Sequence, residues 1–160
     1  MPSANGTDFL YLTATRLTGN QCQVRYGLGT LPAKAVRITG PGGKCLDVDT
    51  NTNANGNAAQ LWDCGVATGQ RWSRHPEGSL RAFGKCLDVD AQGTANHTEV
   101  QLWECNGSGA QKWTHRSDGS LFNPQSGRCL DAPQGATANG TKLQIYDCNG
   151  LFPQQWTIPA

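Results

Sequence analysis

The heptapeptide GKCLDVD stands at residues 43–49 and again, letter for letter, at 84–90. A worn third copy, GRCLDAP, occupies 127–133. The Cys-Leu-Asp triplets begin at Cys45, Cys86 and Cys129, offsets of 41 and 43 residues, and a second cysteine follows each by 19 residues: Cys64, Cys105 and Cys148. AQLWDC, VQLWEC and LQIYDC lead into those second cysteines. Eight residues beyond each stands a tryptophan that closes QRW (70–72), QKW (111–113) or QQW (154–156). Landmarks that keep one order and one spacing through three copies define an internal repeat, the feature that constrains an architecture before any local assignment. The copies span about 36–77, 78–118 and 119–160.

Each copy reads as short strands between turns. AVRIT, SLRAF and SLFNP open the copies, and KCLDV or RCLDA follows a glycine-containing turn. AAQLWDC and its counterparts alternate apolar with polar residues, and RWS, KWT and QWT close the units. Twenty glycines, eight prolines and a charged fraction of only 16% exclude helix-pair repeats, whose surfaces carry Glu and Lys. Three blades fall short of the four or more of a propeller. The expected fold class is therefore all-β: a closed, pseudo-threefold barrel with a cap, about twelve short strands in all. A formal charge of +1 provides no phosphate-seeking field, so nucleic acid is not an expected partner. No apolar run approaches the roughly 20 residues of a membrane span, so no membrane partner is expected either.

VRITGPGGKCLDV (36–48), NGNAAQLWDC (55–64) and the three Gln-x-Trp tripeptides resemble the ricin B-chain type lectin domain, a β-trefoil. The same fold serves as the family 13 carbohydrate-binding module of many secreted bacterial glycosidases. The resemblance covers about residues 35–160 and rests on three full copies. It implies a non-catalytic sugar-binding module holding up to one shallow pocket per repeat; a monomer without cofactor or metal is expected, and the seven cysteines alone suggest an oxidising, secreted setting. Its expected partner is a polysaccharide or oligosaccharide of the xylan, arabinan, galactan or β-glucan class, to which it would target a glycoside hydrolase. A free-standing galactoside lectin and a protein-interaction trefoil with relic pockets are the alternatives.

The residues support that chemistry at constant spacing. A sugar is drawn from water by a charged acceptor for its hydroxyls and a flat apolar surface for its C–H face. Asp47, Asp88 and Asp131 each precede an aromatic (Trp62, Trp103, Tyr146) by 15 residues. Gln60, Gln101 and Gln144 stand two residues before that aromatic, on the same strand face. In ricin-type lectins the matching Asp and aromatic contact sugar. The Asp residues as turn formers and the aromatics as core are the competing readings. Gln70, Gln111 and Gln154 are read either as pocket-rim residues or as braces of a turn. The resemblance places Trp72, Trp113 and Trp156 in the core, beside Leu46, Leu87 and Leu130.

Departures from the family pattern predict unequal pockets. Gly69, Ala110 and Pro153 stand where the family often carries an Asn that contacts a sugar hydroxyl. The third repeat has Tyr146 for Trp, and Pro133 where the others have Asp49 and Asp90. Shallow sites of this kind bind in the millimolar range, about −4 kcal/mol, and gain on a polymer through effective concentration. Replacing Asp47, Asp88 or Asp131 by Ala is expected to remove one site with little change in melting temperature. Asp49 and Asp90 are expected to be dispensable.

Pairing within repeats (Cys45–Cys64, Cys86–Cys105, Cys129–Cys148) closes three similar loops. A metal site is the alternative, but no CxxC occurs and His75, His97 and His115 follow no ligand spacing. DVDTNTNANG (47–56) begins like a calcium loop, yet Thr52 occupies its glycine position and Ala58 its glutamate position. No nucleophile–base arrangement is discernible, and repeat three lacks a second carboxylate for glycoside hydrolysis. Residues 1–35 lie outside the repeats: DFLYLTATRL and CQVRYGL alternate like a strand pair joined by TGNQ, and GTLPAK leads into repeat one. This segment is read as the end of a preceding catalytic domain or as an N-terminal extension, and Met1, before the polar PSANGTD, as a recombinant start. Cys22 is the odd cysteine, either partnered outside this sequence or a buried free thiol.

Overall fold

The computed structural model describes residues 8–17, 21–30 and 33–160, with side chains from Ala33 onward. Two units emerge, Met1–Ala33 and Lys34–Ala160. In the first, β1 (Asp8–Leu17) pairs antiparallel with β2 (Gln21–Thr30), Leu12 lying opposite Tyr26. Residues 18–20 and 31–32, on which the expected turn and linker partly fall, and the pairing of Cys22 lie outside what is described.

The second unit is a β-trefoil of short strands with seven 3-10 turns among them. Repeat one supplies β3 (Ala35–Val36), β4 (Cys45–Val48), β5 (Ala59–Trp62) and β6 (Trp72–Arg74). Repeat two supplies β7 (Leu80–Ala82), β8 (Lys85–Val89), β9 (Val100–Trp103) and β10 (Thr114–His115). In repeat three, β11 (Leu121–Asn123), β12 (Arg128–Asp131) and β13 (Gln144–Asp147) are followed by a bridge at Thr157. That bridge, Thr39↔Thr157, ties the first repeat to the last.

Each Cys-Leu-Asp strand pairs with its own Gln-containing strand in one register. Asp47 lies opposite Gln60, Asp88 opposite Gln101 and Asp131 opposite Gln144. Because side chains alternate faces, this register decides which residues meet. Leu46, Leu61, Leu87, Leu102, Leu130 and Ile145 turn into one buried core. The Asp, the Gln and the aromatic two residues on share the other face.

The three hairpins close into a ring. Leu102 N donates to Asn57 O (2.8 Å), Ile145 N to Thr98 O (2.9 Å) and Leu61 N to Thr141 O (2.9 Å). Each hairpin thus pairs with the next, and the ring leaves no open edge.

The Gln-x-Trp tryptophans are buried, as expected, and the reason includes their polar end. Trp72 Nε1 donates to Leu46 O (2.9 Å), Trp113 Nε1 to Leu87 O (3.0 Å) and Trp156 Nε1 to Leu130 O (3.1 Å). The indole fills the core while its N–H satisfies the carbonyl just before the aspartate. The three disulfides form with the expected partners. Among the described residues, no helix is long and apolar enough to cross a membrane.

Candidate functional site

In each repeat the aspartate is held by two amides. Asp47 accepts from Gln60 Nε2 at 2.8 Å and from Gln70 Nε2 at 3.0 Å, one on each carboxylate oxygen. Asp88 accepts from Gln101 (3.0 Å) and Gln111 (2.9 Å), and Asp131 from Gln144 (2.9 Å) and Gln154 (3.1 Å). The second glutamine of each pair sits at the end of a 3-10 turn and is spoken for on both sides. Gln70 Nε2 also donates to Asp63 O, and its Oε1 accepts from Gly65 N; Gln111 and Gln154 repeat the pattern. Gln70, Gln111 and Gln154 are buried and act as braces. Between the rim and bracing roles left open by the sequence, their hydrogen bonds fit the bracing one.

The carboxylates are therefore fixed rather than mobile. A carboxylate has about four lone-pair positions, and two bonds leave two for a ligand. Asp47, Gln60 and Trp62 line a first cavity of about 460 Å³. Asp88, Gln101 and Trp103 line a second of about 390 Å³, and Asp131, Gln144 and Tyr146 a third of about 430 Å³. These volumes lie at the lower end of small-molecule sites. Trp62 is 44% and Trp103 39% exposed, among the few large apolar side chains left in solvent. Asp, strand Gln and aromatic thus converge three times. The core alternative for Trp62 and Trp103 does not hold, and Tyr146 is half-buried.

Two expectations change. Each aspartate accepts from two amides, so its truncation is expected to cost stability, because one N–H of each amide loses its acceptor. Asp49 is not idle either: it lines the first cavity and pairs with Lys142 Nζ at 2.7 Å. The Lys142 hydrogen bond holds the Asp49 carboxyl below its usual range. The residues at the family's Asn position also find a reason. Gly69 N donates to Asn51 Oδ1 at 2.7 Å, and a Cβ on Gly69 would lie 3.0 Å from that oxygen and 3.2 Å from Val48 Cβ. Ala110 is fully buried, and Pro153 forms part of the third cavity wall.

Burial pushes the Asp88 carboxyl above its ordinary pKa, against the lowering pull of Gln101 and Gln111. An acid whose folded pKa is raised costs stability when ionised, and that cost is relieved as pH falls through the raised value. Asp88 is expected to take up its proton above the roughly 3.9 of a free aspartate, read from its carboxyl 13C shift against pH. A midpoint below that value would contradict the desolvation account.

One repeated landmark escaped the sequence reading. ANG (54–56), ANH (95–97) and ANG (138–140) each stand five residues before the strand Gln. Their asparagines latch one repeat onto the next. Asn55 Oδ1 accepts from Glu104 N (3.1 Å), Asn96 Oδ1 from Asp147 N (2.9 Å) and Asn139 Oδ1 from Asp63 N (2.8 Å). Each also accepts from a basic residue of the partner repeat: Lys85, Arg128 and Lys44. The bonds fall just past the pocket aromatic, fixing the strand end that carries it. Asn96→Ala is expected to lower unfolding free energy by about 1–2 kcal/mol by denaturant titration, since the Asp147 N–H loses its acceptor. An unchanged midpoint would make the latch incidental.

The description "ricin-type β-trefoil lectin domain" matches residues 34–156. An agglutinin from Abrus precatorius superposes with a TM-score of 0.73 at 30% identity, over 79% of this chain and 48% of that one. A non-toxic homologue of type II RIPs from Momordica charantia (bitter gourd), solved in complex with α-methyl-D-galactoside, superposes with a TM-score of 0.70 at 27% identity over the same shares. The ribosome-inactivating protein PMRIPt of Polygonatum multiflorum is 39% identical over 46 residues, 29% of this chain and 8% of that protein. The chain thus spans under a tenth of that relative's length and about half of each matched structure.

Proposed function

This chain belongs to the ricin-type β-trefoil lectin domain family, and from that premise we propose a non-catalytic carbohydrate-binding domain with three shallow sugar sites. One observation carries the reading: a braced, buried carboxylate beside a cavity-lining aromatic recurs on the same hairpin face in every repeat. In this proposal Asp47, Asp88 and Asp131 accept hydrogen bonds from neighbouring sugar hydroxyls. Trp62, Trp103 and Tyr146 stack on the ring, Gln60, Gln101 and Gln144 border it, and Gln70, Gln111 and Gln154 brace the carboxylates from behind.

Three sites related by a pseudo-threefold axis suit a polymer, where weak sites gain by effective concentration. The domain is accordingly proposed to hold a secreted glycoside hydrolase on polysaccharide, and the three disulfides favour an extracellular setting. A second reading, a galactoside-binding lectin, draws support from the α-methyl-D-galactoside in the Momordica structure. Pull-down on insoluble xylan, arabinan, galactan and β-glucan, run beside a glycan array, tests both. Retention on a polysaccharide supports the first, and capture confined to galactoside-bearing glycans the second. Retention by nothing on either would leave a protein-interaction trefoil.

A further inference from the structure

The strand glutamine of each pocket has a second end, and the three repeats treat it differently. Gln60, Gln101 and Gln144 all give their Nε2 hydrogens to the aspartate, which can only accept, so each Oε1 must face away from it. In the first pocket that oxygen accepts from Lys142 Nζ of repeat three, at 2.6 Å. In the third it lies 3.1 Å from Nδ1 of His97, which belongs to repeat two. In the second pocket the corresponding neighbour is Gly56, where even an added Cβ would remain 4.0 Å from Gln101 Oε1.

His97 replaces a glycine that the other two repeats keep. Gly56, His97 and Gly140 share a left-handed backbone, with φ of 89°, 73° and 87°. A Cβ on Gly140 would sit 3.8 Å from Trp62 Cζ3, and one on Gly56 4.0 Å from Trp103 Cζ3. The position thus looks directly onto the pocket aromatic. In repeat three the aromatic is the smaller Tyr146, and His97 packs edge-on against it with ring centroids 5.2 Å apart. The imidazole lines the third cavity together with Tyr146, Asp131 and Gln144.

On the sugar-binding reading above, we infer that His97 is a ligand-contacting, specificity-determining residue lent to the third pocket by the second repeat, and that it makes pyranose binding there pH-dependent. Gln144 Oε1 can only accept, so Nδ1 carries a hydrogen in either charge state. Nε2 has no hydrogen-bond partner among the described residues. In the neutral ring it accepts from a sugar hydroxyl; in the protonated ring it becomes a second donor, and the hydroxyl turns to accept a charge-assisted bond from it. The ionisable groups around it are Asp131 behind Gln144, Tyr146 against its edge, Glu99 on its own segment, and the Asp147–Arg128 pair gathered by neighbouring Asn96. The first and second pockets have no imidazole in their walls.

The test is a 1H–15N titration of the full chain with methyl α-D-galactoside, and with xylose in parallel, at about pH 8 and pH 5.5. Backbone amides of Gln60 and Trp62, Gln101 and Trp103, and Gln144 and Tyr146 report the three pockets separately. Exchange of a neutral hydrogen bond for a charge-assisted one predicts third-pocket affinity about 3- to 10-fold tighter at the lower pH. His97→Gly, the residue its counterparts carry and one that suits this backbone, is expected to fold. Its third pocket should be weak at both pH values with no step between them, while the other two pockets are unchanged. Equal third-pocket affinity in parent and His97→Gly, a pH step that survives the substitution, or binding confined to the first two pockets would each overturn the inference alone. Shifts in no pocket with either sugar would overturn the sugar-binding reading beneath it.

Discussion

Reduction of all three disulfides is expected to unfold the trefoil at 25 °C. Each bridge closes a loop of 19 residues and contributes about 3 kcal/mol in the chain-entropy model, so the three together withdraw about 9 kcal/mol. That matches the whole stability of an ordinary domain, about 5–15 kcal/mol. Cys64, Cys105 and Cys148 are exposed, so a thiol reductant reaches every bridge without prior unfolding. Circular dichroism melts of the oxidised protein and of the reduced, alkylated protein measure the effect. A cooperative transition within a few degrees of the oxidised one would show that the leucine and tryptophan core suffices alone. Paired replacement of Cys86 and Cys105 by Ala should cost one third as much and leave a folded chain, provided the loops act independently.

The placement of these bridges bears on binding as well as on stability. The loop from Cys45 to Cys64 contains Asp47, Gln60 and Trp62, and the other two loops enclose the matching sets. Cys45 lies opposite Trp62 in the hairpin register, as Cys86 lies opposite Trp103 and Cys129 opposite Tyr146. Each bridge therefore pins the hairpin end that carries the cavity-lining ring. A single opened bridge is expected to loosen its own pocket aromatic more than its neighbours'.

Much of this was legible in the sequence because the repeat is written in residues that fold locally. CLD and QLW lie within one hairpin: the spacing of Gln60 and Trp62 put that pair on one strand face, and the family resemblance joined Asp47 to the aromatic. Trp72 was legible as core through the family resemblance, and its fixed offset from Leu46 reflects the carbonyl its indole N–H caps. What stayed hidden crosses the repeat boundary. Asn139 serves Asp63, 76 residues away, and Lys142 serves Gln60, 82 residues away. Periodicity reveals that such residues recur or differ without saying which copy they face. The same limit concealed His97, whose significance lies in standing beside Tyr146 of another repeat. The bracing role of Gln70 was hidden for a different reason: the direction of an amide depends on the 3-10 turn that carries it, and a tripeptide does not state that direction.

Asp88→Ala is expected to abolish the second pocket and to destabilise the fold, a pairing of effects that separates the braced carboxylate from a free surface arm. Only about 5% of Asp88 is exposed, and its two oxygens take hydrogens from Gln101 and Gln111. Truncation removes a charged acceptor from the ligand, worth about 1.5–3 kcal/mol, so sugar affinity in that pocket should fall about 10- to 100-fold. It also strands two amide donors, at about 1–3 kcal/mol each where water cannot replace the partner. Gln111 retains its bond to Glu104 O and Gln101 borders the open cavity, so a total of about 2–3 kcal/mol is expected rather than the full sum. Gln111→Ala supplies the contrast. It keeps the carboxylate but removes the bonds to Glu104 O and from Asn106 N, so it should cost comparable stability while weakening, not abolishing, the pocket. Urea denaturation with a site-resolved sugar titration measures both quantities on each variant. If Asp88→Ala lost the pocket at an unchanged denaturation midpoint, the amides would have to be satisfied without the carboxylate. If it lost stability and kept the pocket, the aspartate would be a structural residue and the sugar would have to be held by Trp103 and Gln101 alone.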